Sequence, residues 1–239
     1  YGLHRTGYAL GTVLVSMFFL FLNYGEANLT EEYCLPFICA SAYYIYVYFN
    51  EEYHQHSPKS AFLYGMAFCV CFYTRVTNCV LVAAGVLAIT VSLIRYREFK
   101  NLWQNILGFL GGALTVFLPF AVYFATQGAL GDMLYGTFFF NLTYISDTTS
   151  WISEANRDTY ISFIYIYFCS YSIFFTLFLA ALRKKPGLTG WFLVAGIVEM
   201  YLYINSSLYY HCPLVVLPQF VFLVKELMSS EEHRWIRWM

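Results

Sequence analysis

Eight apolar runs, separated by short polar segments, constrain this chain more than any other feature of its sequence. A helix needs about 20 mainly apolar residues to cross a bilayer, and most of the runs approach or exceed that length. The runs are continuous rather than alternating, so they do not have the pattern of barrel strands. They cover residues 8–22, 34–49, 61–73, 78–94, 106–126, 160–182, 188–204 and 209–223.

Composition supports a membrane protein. Charged residues make up 11% of the 239 residues, while 60% are hydrophobic and 22% aromatic. A soluble domain carries roughly 25% charged residues. We therefore predict an all-α, polytopic transmembrane bundle of about eight spans, forming a single domain over residues 1–239. The third run is short and a tight turn joins it to the fourth, which favours a helical hairpin that does not cross fully.

The basic residues predict the orientation. If residues 1–7 are cytoplasmic, the inside segments are 1–7, 50–60, 95–105, 183–187 and the residues after 224. Of the 13 Lys and Arg, only Arg75 and Arg157 fall outside these segments. Cytoplasmic loops of membrane proteins carry an excess of Lys and Arg. The eight alternating spans therefore place residues 23–33 and 127–159 on the external side.

Arg75 is the basic residue that this orientation disfavours most, because it ends an apolar run and has no acidic neighbour in sequence. A half-buried guanidinium at a membrane needs an anion. One interpretation is a binding site for a lipid phosphate or a phosphorylated substrate, which the planar group can hold with two hydrogen bonds. The alternatives are an arginine that reaches the headgroups or that pairs with Glu31 or Glu32 for structure.

Other polar residues are candidates for the same external region. Glu31 and Glu32 precede Tyr33, and they either close over a cavity or are simply solvated. Tyr210 and His211 begin the last span, where the histidine could bind phosphate or anchor the helix at the interface. Glu199 lies within the seventh span, where an acid is a functional candidate; its expected partners are the hydroxyls of Tyr201 or Tyr203.

Two further predictions concern residues outside this group. Residues 132–141 place Leu134, Phe138 and Phe139 at helical spacing, which predicts a helix along the external interface. The cysteines form no C-x-x-C pair and are interpreted as small buried hydrophobic residues rather than metal ligands or disulfides. They are Cys34, Cys39, Cys69, Cys71, Cys79, Cys169 and Cys212.

Four motifs, taken in order, resemble the membrane part of bacterial GT-C glycosyltransferases, the superfamily of protein O-mannosyltransferases and the lipid A aminoarabinose transferase. The first two are N-L-T-E-E-Y-x-L-P-F and F-Y-T-R-V-T-N. The third is L-P-F-A-V-Y-F-x-T-Q-G-A-L-x-D-M-L-Y-G running into F-x-x-N-L-T-Y, and the last is Y-Y-H-C-P-L-V-V-L-P. Together the likeness covers most of the chain.

The resemblance implies transfer of a sugar from a polyprenyl-phosphate donor to an acceptor at the external face of a bacterial inner membrane. It implies that Arg75, within the T-[KR]-x-T element, lies near the donor phosphate, and that Glu31, Glu32 and Tyr33 line the same cavity. The closing element begins at His211. Some members use a divalent metal, and no nucleic-acid partner is expected. The family's catalytic acid would lie upstream of Tyr1, so we expect this chain to be an inactive fragment.

Two other classes fit parts of the pattern. A transporter or flippase would also need an external cavity and an intramembrane acid such as Glu199. Transporters usually contain internal repeats with broken helices, and residues 1–120 and 121–239 show no convincing repeat. A non-catalytic scaffold predicts that Arg75, Glu31 and Glu32 can be replaced without consequence.

Overall fold

The computed structural model describes residues 30–51, 53–140 and 184–204, together with positions 10, 11, 13, 14, 17, 174, 176–178, 181, 219 and 221. Within this part of the chain every regular element is helical, as predicted, and no strand is present. In chain order the elements are α1 (Thr30–Asn50), α2 (Pro58–Thr74), a 3-10 turn (Val76–Cys79), α3 (Val80–Arg95), α4 (Phe99–Thr126), α5 (Leu130–Leu134), a π-helical segment (Tyr135–Phe140) and α6 (Pro186–Ile204).

Each apolar run inside the described ranges coincides with a helix. The runs 8–22, 160–182 and 209–223 lie largely outside the described residues. Of the described helices, two are long and apolar enough to cross a membrane, Thr77–Arg95 and Phe99–Thr126. The apolar part of α6, Pro186–Glu199, is shorter. By length and composition, these helices favour a membrane protein.

Helix α4 carries a stripe of large apolar side chains that the rest of the described chain does not cover. The stripe recurs every three or four residues, which is one face of a helix, and Leu107 is 65% exposed. Water would disfavour so continuous an apolar surface, whereas acyl chains match it. Its members are Trp103, Leu107, Leu110, Leu114, Leu118 and Val122.

Hydrogen bonds between the connecting segments show which helix ends lie together. Tyr48, near the end of α1, donates to Ser92 Oγ near the end of α3 at 3.2 Å. Lys185, just before α6, donates to the carbonyl of Asn50. Gln55 Nε2 donates to Glu98 Oε2 at 3.1 Å, just before α4. We call this the basic end, because it holds Lys59, Arg95, Arg97, Lys100, Lys184 and Lys185.

The main core lies between α1, α3 and α6. Buried residues of α1 recur at helical spacing, among them Cys34, Ile38, Ala42, Ile45 and Phe49. Trp191 of α6 is fully buried, and its Nε1 donates to the carbonyl of Leu81 in α3 at 2.9 Å. Gly85 faces Ile45 and Trp191 so closely that a Cβ atom would overlap the Ile45 side chain. A glycine is therefore needed where the three helices meet.

Helices α2 and α4 form a second, closer contact, and they run parallel. Gly65 of α2 faces the backbone of Phe109, and Gly112 of α4 faces the carbonyl of Phe62, each with no room for a Cβ atom. Gly108 meets the carbonyl of Pro58 in the same way. Gly108 and Gly112 are four residues apart, the spacing that lets helix backbones approach in membranes.

The expected hairpin between the third and fourth runs is present only as a tight connection. Helix α2 ends at Thr74 and the chain turns through Val76–Cys79 into α3. However, α2 packs far more extensively on α4 than on α3, because Gly65 of α2 and Gly108 and Gly112 of α4 all lie in the contact between α2 and α4. With 17 residues, α2 is about 25 Å long at 1.5 Å per residue.

A buried polar network fixes the connection between α1 and α2 at the basic end. The backbone N–H of His56 donates to Asn101 Oδ1 at 2.8 Å, and Asn101 Nδ2 donates to the His56 carbonyl at 2.9 Å. The imidazole Nδ1 lies 2.6 Å from Asn105 Oδ1, and Nε2 lies 3.1 Å from the Tyr64 hydroxyl. Since an amide oxygen only accepts, Nδ1 donates to Asn105, and the Tyr64 hydroxyl can donate to Nε2 when the ring is neutral.

We expect this network to make stability depend on pH. Burial lowers the pKa of His56 below its ordinary value of 6.5, although the hydrogen bond to Asn105 opposes the shift. Below pH 6.5 the unfolded chain binds a proton that the folded protein resists, so stability falls as pH falls and levels off below the folded pKa. Thermal unfolding in detergent between pH 5 and 8 measures the slope.

The control for this prediction is His54, an exposed histidine two residues away. The His56→Gln variant should show a shallower loss of stability in acid than the parent protein, whereas His54→Gln should keep the parent slope. An unchanged slope in His56→Gln would remove His56 as the source of the pH dependence.

Candidate functional site

Arg75 lies where α2 ends, at the end of the bundle opposite the basic end. Its backbone is extended, with φ −160° and ψ 118°. Its N–H donates to the Cys71 carbonyl at 2.7 Å, and its carbonyl accepts from the N–H of Asn78 at 2.9 Å. These bonds close the turn that follows α2, so the backbone of Arg75 is fixed on both sides. The side chain is half-buried.

Thr74 links this turn to the first turns of α1. The Thr74 hydroxyl donates within its own helix to the carbonyls of Val70 and Cys71, each at 3.0 Å. The same oxygen lies 2.8 Å from the sulfur of Cys34, to which Asn78 Nδ2 also donates at 3.7 Å. The beginning of α1 and the end of α2 therefore meet through side chains.

The sequence-predicted carboxylates belong to the same part of α1. Glu31 and Glu32 lie in its first helical turn, three and two residues before Cys34 respectively, but their side chains lie outside the described part of the structure. Tyr33 is 58% exposed. The backbone therefore brings positions 31–33 and 75 to one end of the bundle. Tyr210 and His211 lie outside the described residues.

Aromatic side chains cover the α4 side of this end. The ring of Tyr73 lies 5.1 Å from that of Phe120 and 6.2 Å from that of Phe117, measured between centroids. The Tyr73 hydroxyl is buried, and no hydrogen-bond partner is found for it among the described residues. Sequence analysis did not select Tyr73, since one tyrosine among 23 gives no signal of its own.

The helix predicted over residues 132–141 is present in the described residues, with a change of helix type inside it. Residues Leu130–Leu134 are α-helical and Tyr135–Phe140 are π-helical; Asn141, the last residue of the prediction, lies outside the described range. Phe138 contacts Phe72 of α2, with ring centroids 4.9 Å apart. The segment therefore continues from α4 back over the end of α2 that carries Arg75.

Glu199 has a different partner from the one expected. Its Oε2 accepts a hydrogen bond from Gln219 Nε2 at 2.6 Å, and both side chains are buried. The expected partner Tyr201 is 64% exposed, and the side chain of Tyr203 is outside the described part. The hydroxyl of Thr176 donates to the Gln219 carbonyl at 3.3 Å. Residues 20 positions apart form this pair, so local spacing could not predict it.

The described cysteines are thiols rather than disulfides, and most are buried as predicted: Cys34, Cys69, Cys71 and Cys79 are buried, and Cys39 is exposed. Within the described ranges, no group of three or more His, Cys, Asp or Glu side chains could hold a metal ion. The described residues at the Arg75 end thus offer a guanidinium, a thiol, an amide and hydroxyls. This chemistry suits binding an anion or a hydroxylated ligand.

The part of the chain that the structure describes is all-helical, and two of its helices are long and apolar enough to cross a membrane. No protein-family model, curated protein or solved structure matches the chain. Any assignment to a family therefore has to be argued from the residues themselves.

Proposed function

We propose that this chain is part of a membrane glycosyltransferase that moves a sugar from a polyprenyl-phosphate donor to an acceptor at the external face of the membrane. The observation that carries the proposal is the 2.8 Å contact between Cys34 and Thr74. It joins the first turns of α1, where Glu31 and Glu32 lie, to the residue before Arg75. This end is the one away from the clustered lysines and arginines.

In the proposed reaction the acceptor oxygen bonds to the anomeric carbon as the bond from that carbon to the donor phosphate oxygen breaks. The acceptor proton passes to a carboxylate, and the departing polyprenyl phosphate needs a cation. Arg75 supplies that cation, because a guanidinium can hold two phosphate oxygens at once. In the proposed site Glu31, Glu32 and Tyr33 line the donor cavity. Tyr210 and His211, which lie outside the described residues, complete the proposed set of substrate-binding residues.

The hydroxyl of Tyr73 adds support for a bound ligand. A buried hydroxyl without a partner costs about 1–3 kcal/mol, and Tyr73 has none among the described residues. A sugar hydroxyl or phosphate oxygen at this end would satisfy it. Donor binding should therefore recover part of that cost.

The test of the proposal is Arg75→Ala in the complete transferase of which this chain is proposed to be part, assayed in membranes for transfer from a radiolabelled polyprenyl-phosphate sugar. We expect transfer to fall at least about tenfold, which corresponds to the loss of one charge-assisted contact. Arg75→Lys should recover part of the activity, since it keeps the charge but loses the two-pronged geometry.

Arg97→Ala is the matched control, because Arg97 is an exposed arginine at the basic end. It should transfer sugar at the parent rate. Parent-level transfer by Arg75→Ala would eliminate the donor-phosphate role, and an equal loss in Arg97→Ala would point to a general effect on folding or insertion.

The proposal includes eight spans in a bacterial inner membrane, with the basic end in the cytoplasm. Reporter fusions at Ser153 and Lys184 test this topology, because one span separates them. We expect an externally active reporter to work at Ser153 and a cytoplasmic reporter to work at Lys184. Activity of the same reporter at both positions would overturn the eight-span arrangement.

One observation favours a second function, that of a transporter or flippase. The buried pair of Glu199 and Gln219 joins α6 to a separate part of the chain, and intramembrane acids are typical of transport pathways. If the protein is a transporter, Glu199→Gln should abolish substrate movement in vesicles. If it is a glycosyltransferase, the same variant should keep sugar transfer, because the amide preserves one acceptor oxygen for Gln219.

A further inference from the structure

A groove at the basic end has no role in the proposed sugar transfer. It occupies about 540 Å³ between the last turns of α1 and α3 and the first turns of α6. Tyr48 and Phe49 contribute from α1, Val91 from α3, and Gly190 and Val194 from α6. The groove therefore lies where three helix ends leave space between them.

The charges that line the groove are all of one sign. Arg95 comes from the end of α3, and Lys184 and Lys185 come from the segment before α6. Of the described residues that line it, none is acidic. Lys185 already donates a hydrogen bond to the Asn50 carbonyl, so part of its hydrogen-bonding capacity is taken up within the fold. Arg95 and Lys184 are exposed at the mouth.

The backbone at Lys184 is unfavourable for a lysine. Its φ is 53°, in the left-handed region that costs a residue with a side chain about 1 kcal/mol or more. Strained backbone of this kind clusters at ligand-binding positions. The chain therefore holds a cationic residue beside the groove in a conformation that glycine would adopt more readily.

Away from its mouth, the groove is apolar and continues into the outer surface of the bundle. Leu87 and Val91 of α3 line it and are more than half exposed, and Val194 lines it from α6. If α3 crosses a bilayer, these side chains face acyl chains. A molecule that fits must therefore combine an anionic head with an apolar tail.

From these observations we infer that the groove binds one phospholipid with an anionic headgroup, its phosphate on Arg95 and Lys184 and an acyl chain along Leu87, Val91 and Val194. Basic pockets between helices at the cytoplasmic side of membrane proteins recognise anionic headgroups. The groove uses the end of the bundle opposite Arg75, so the inference goes beyond the proposed sugar transfer and does not rest on it.

The test is native mass spectrometry of the purified protein, delipidated and then titrated with dioleoylphosphatidylglycerol or neutral dioleoylphosphatidylcholine. The double variant Arg95→Gln/Lys184→Gln should bind the anionic lipid about tenfold more weakly, as expected for lost charge-assisted hydrogen bonds. Lys185 is left in place because it supports the fold. Binding of the neutral lipid should change little.

The matched control is Lys59→Gln/Lys100→Gln, which removes the same charge from exposed positions at the same end. Neither residue is among those that line the groove, so anionic lipid binding should weaken less than about twofold. Equal losses in the two double variants would assign the binding to diffuse surface charge and overturn the inference.

A second variant tests the apolar half of the site without touching a charge. A Cβ atom on Gly190 would meet nothing within 4 Å, so Gly190→Leu should fold and yet fill the groove. We expect it to weaken binding of the anionic lipid. Unchanged binding in Gly190→Leu, or displacement of the lipid by inorganic phosphate alone, would contradict a phospholipid occupant.

Discussion

Replacing Gly112 with alanine is expected to destabilise the protein by about 2–3 kcal/mol, the range for inserting a methyl group into a filled interface. The added Cβ atom would overlap the carbonyl oxygen of Phe62 in α2. A backbone oxygen cannot move aside as a side chain can, so the two helices must separate. The reciprocal change, Gly65→Ala, meets the carbonyl of Phe109 and should have a similar effect.

The neighbouring Gly111 provides the control. A Cβ atom there lies 3.6 Å from the ring of Phe62, which is ordinary van der Waals contact. Since alanine favours a helix by roughly 1 kcal/mol over glycine, Gly111→Ala should be neutral or slightly stabilising. Thermal unfolding in detergent compares the variants. Equal stability of the Gly112 and Gly111 variants would show that α2 and α4 are not in backbone contact.

Replacing Gln219 with leucine is expected to cost about 2–3 kcal/mol, because a buried polar group then loses its partner. The Gln219 side chain is 1% exposed and donates to Glu199 at 2.6 Å. The other carboxyl oxygen of Glu199 is buried and has no partner among the described residues. The variant would thus leave both oxygens without a donor.

A double-mutant cycle separates this effect from the loss of packing. Replacing both partners, Glu199→Leu and Gln219→Leu, removes the polar group as well as its donor, so most of the lost stability should return. Chemical unfolding of the two single variants and the double variant gives the coupling energy. Additive losses with no recovery would mean that the hydrogen bond does not hold α6 to residue 219.

Much of the helical architecture could be predicted from the sequence. Continuous apolar runs fix where helices form, because unpaired backbone groups are costly in lipid, and the run 34–49 lies within α1 as expected. The sorting of Lys and Arg also predicted that Lys59, Arg95 and Lys184 share one end. These features depend on local composition, which a single sequence contains.

The pairing of helices could not be predicted in the same way. Gly65, whose Cβ position meets the backbone of Phe109 in α4, stands alone in α2 and gave no signal in the sequence. As a result, α2 was expected to pair with α3, its neighbour in sequence. The network of His56 with Asn101 and Asn105 joins segments about 45 residues apart, beyond the reach of any periodic pattern.

The residues of the candidate site could be predicted from the sequence, but the contacts that bring them together could not. Arg75 was selected because its charge is on the disfavoured side, and motif order added Glu31 and Glu32. The contact that brings them together, Cys34 with Thr74, is between two residues whose type suggests only packing. Tyr73 stands in the F-Y-T-R-V-T-N motif, but the motif does not indicate that its hydroxyl is buried, which only the structure shows.

The proposed sugar transfer requires the donor phosphate to bind at the Arg75 end. Photo-crosslinking can locate this binding, with a polyprenyl-phosphate analogue that carries a diazirine in its first isoprene unit, followed by peptide mapping. We expect labelling of peptides containing residues 30–37 and 72–80, and weaker labelling in Arg75→Ala. Labelling confined to residues 184–194, or unaffected by Arg75→Ala, would contradict binding of the donor at the Arg75 end.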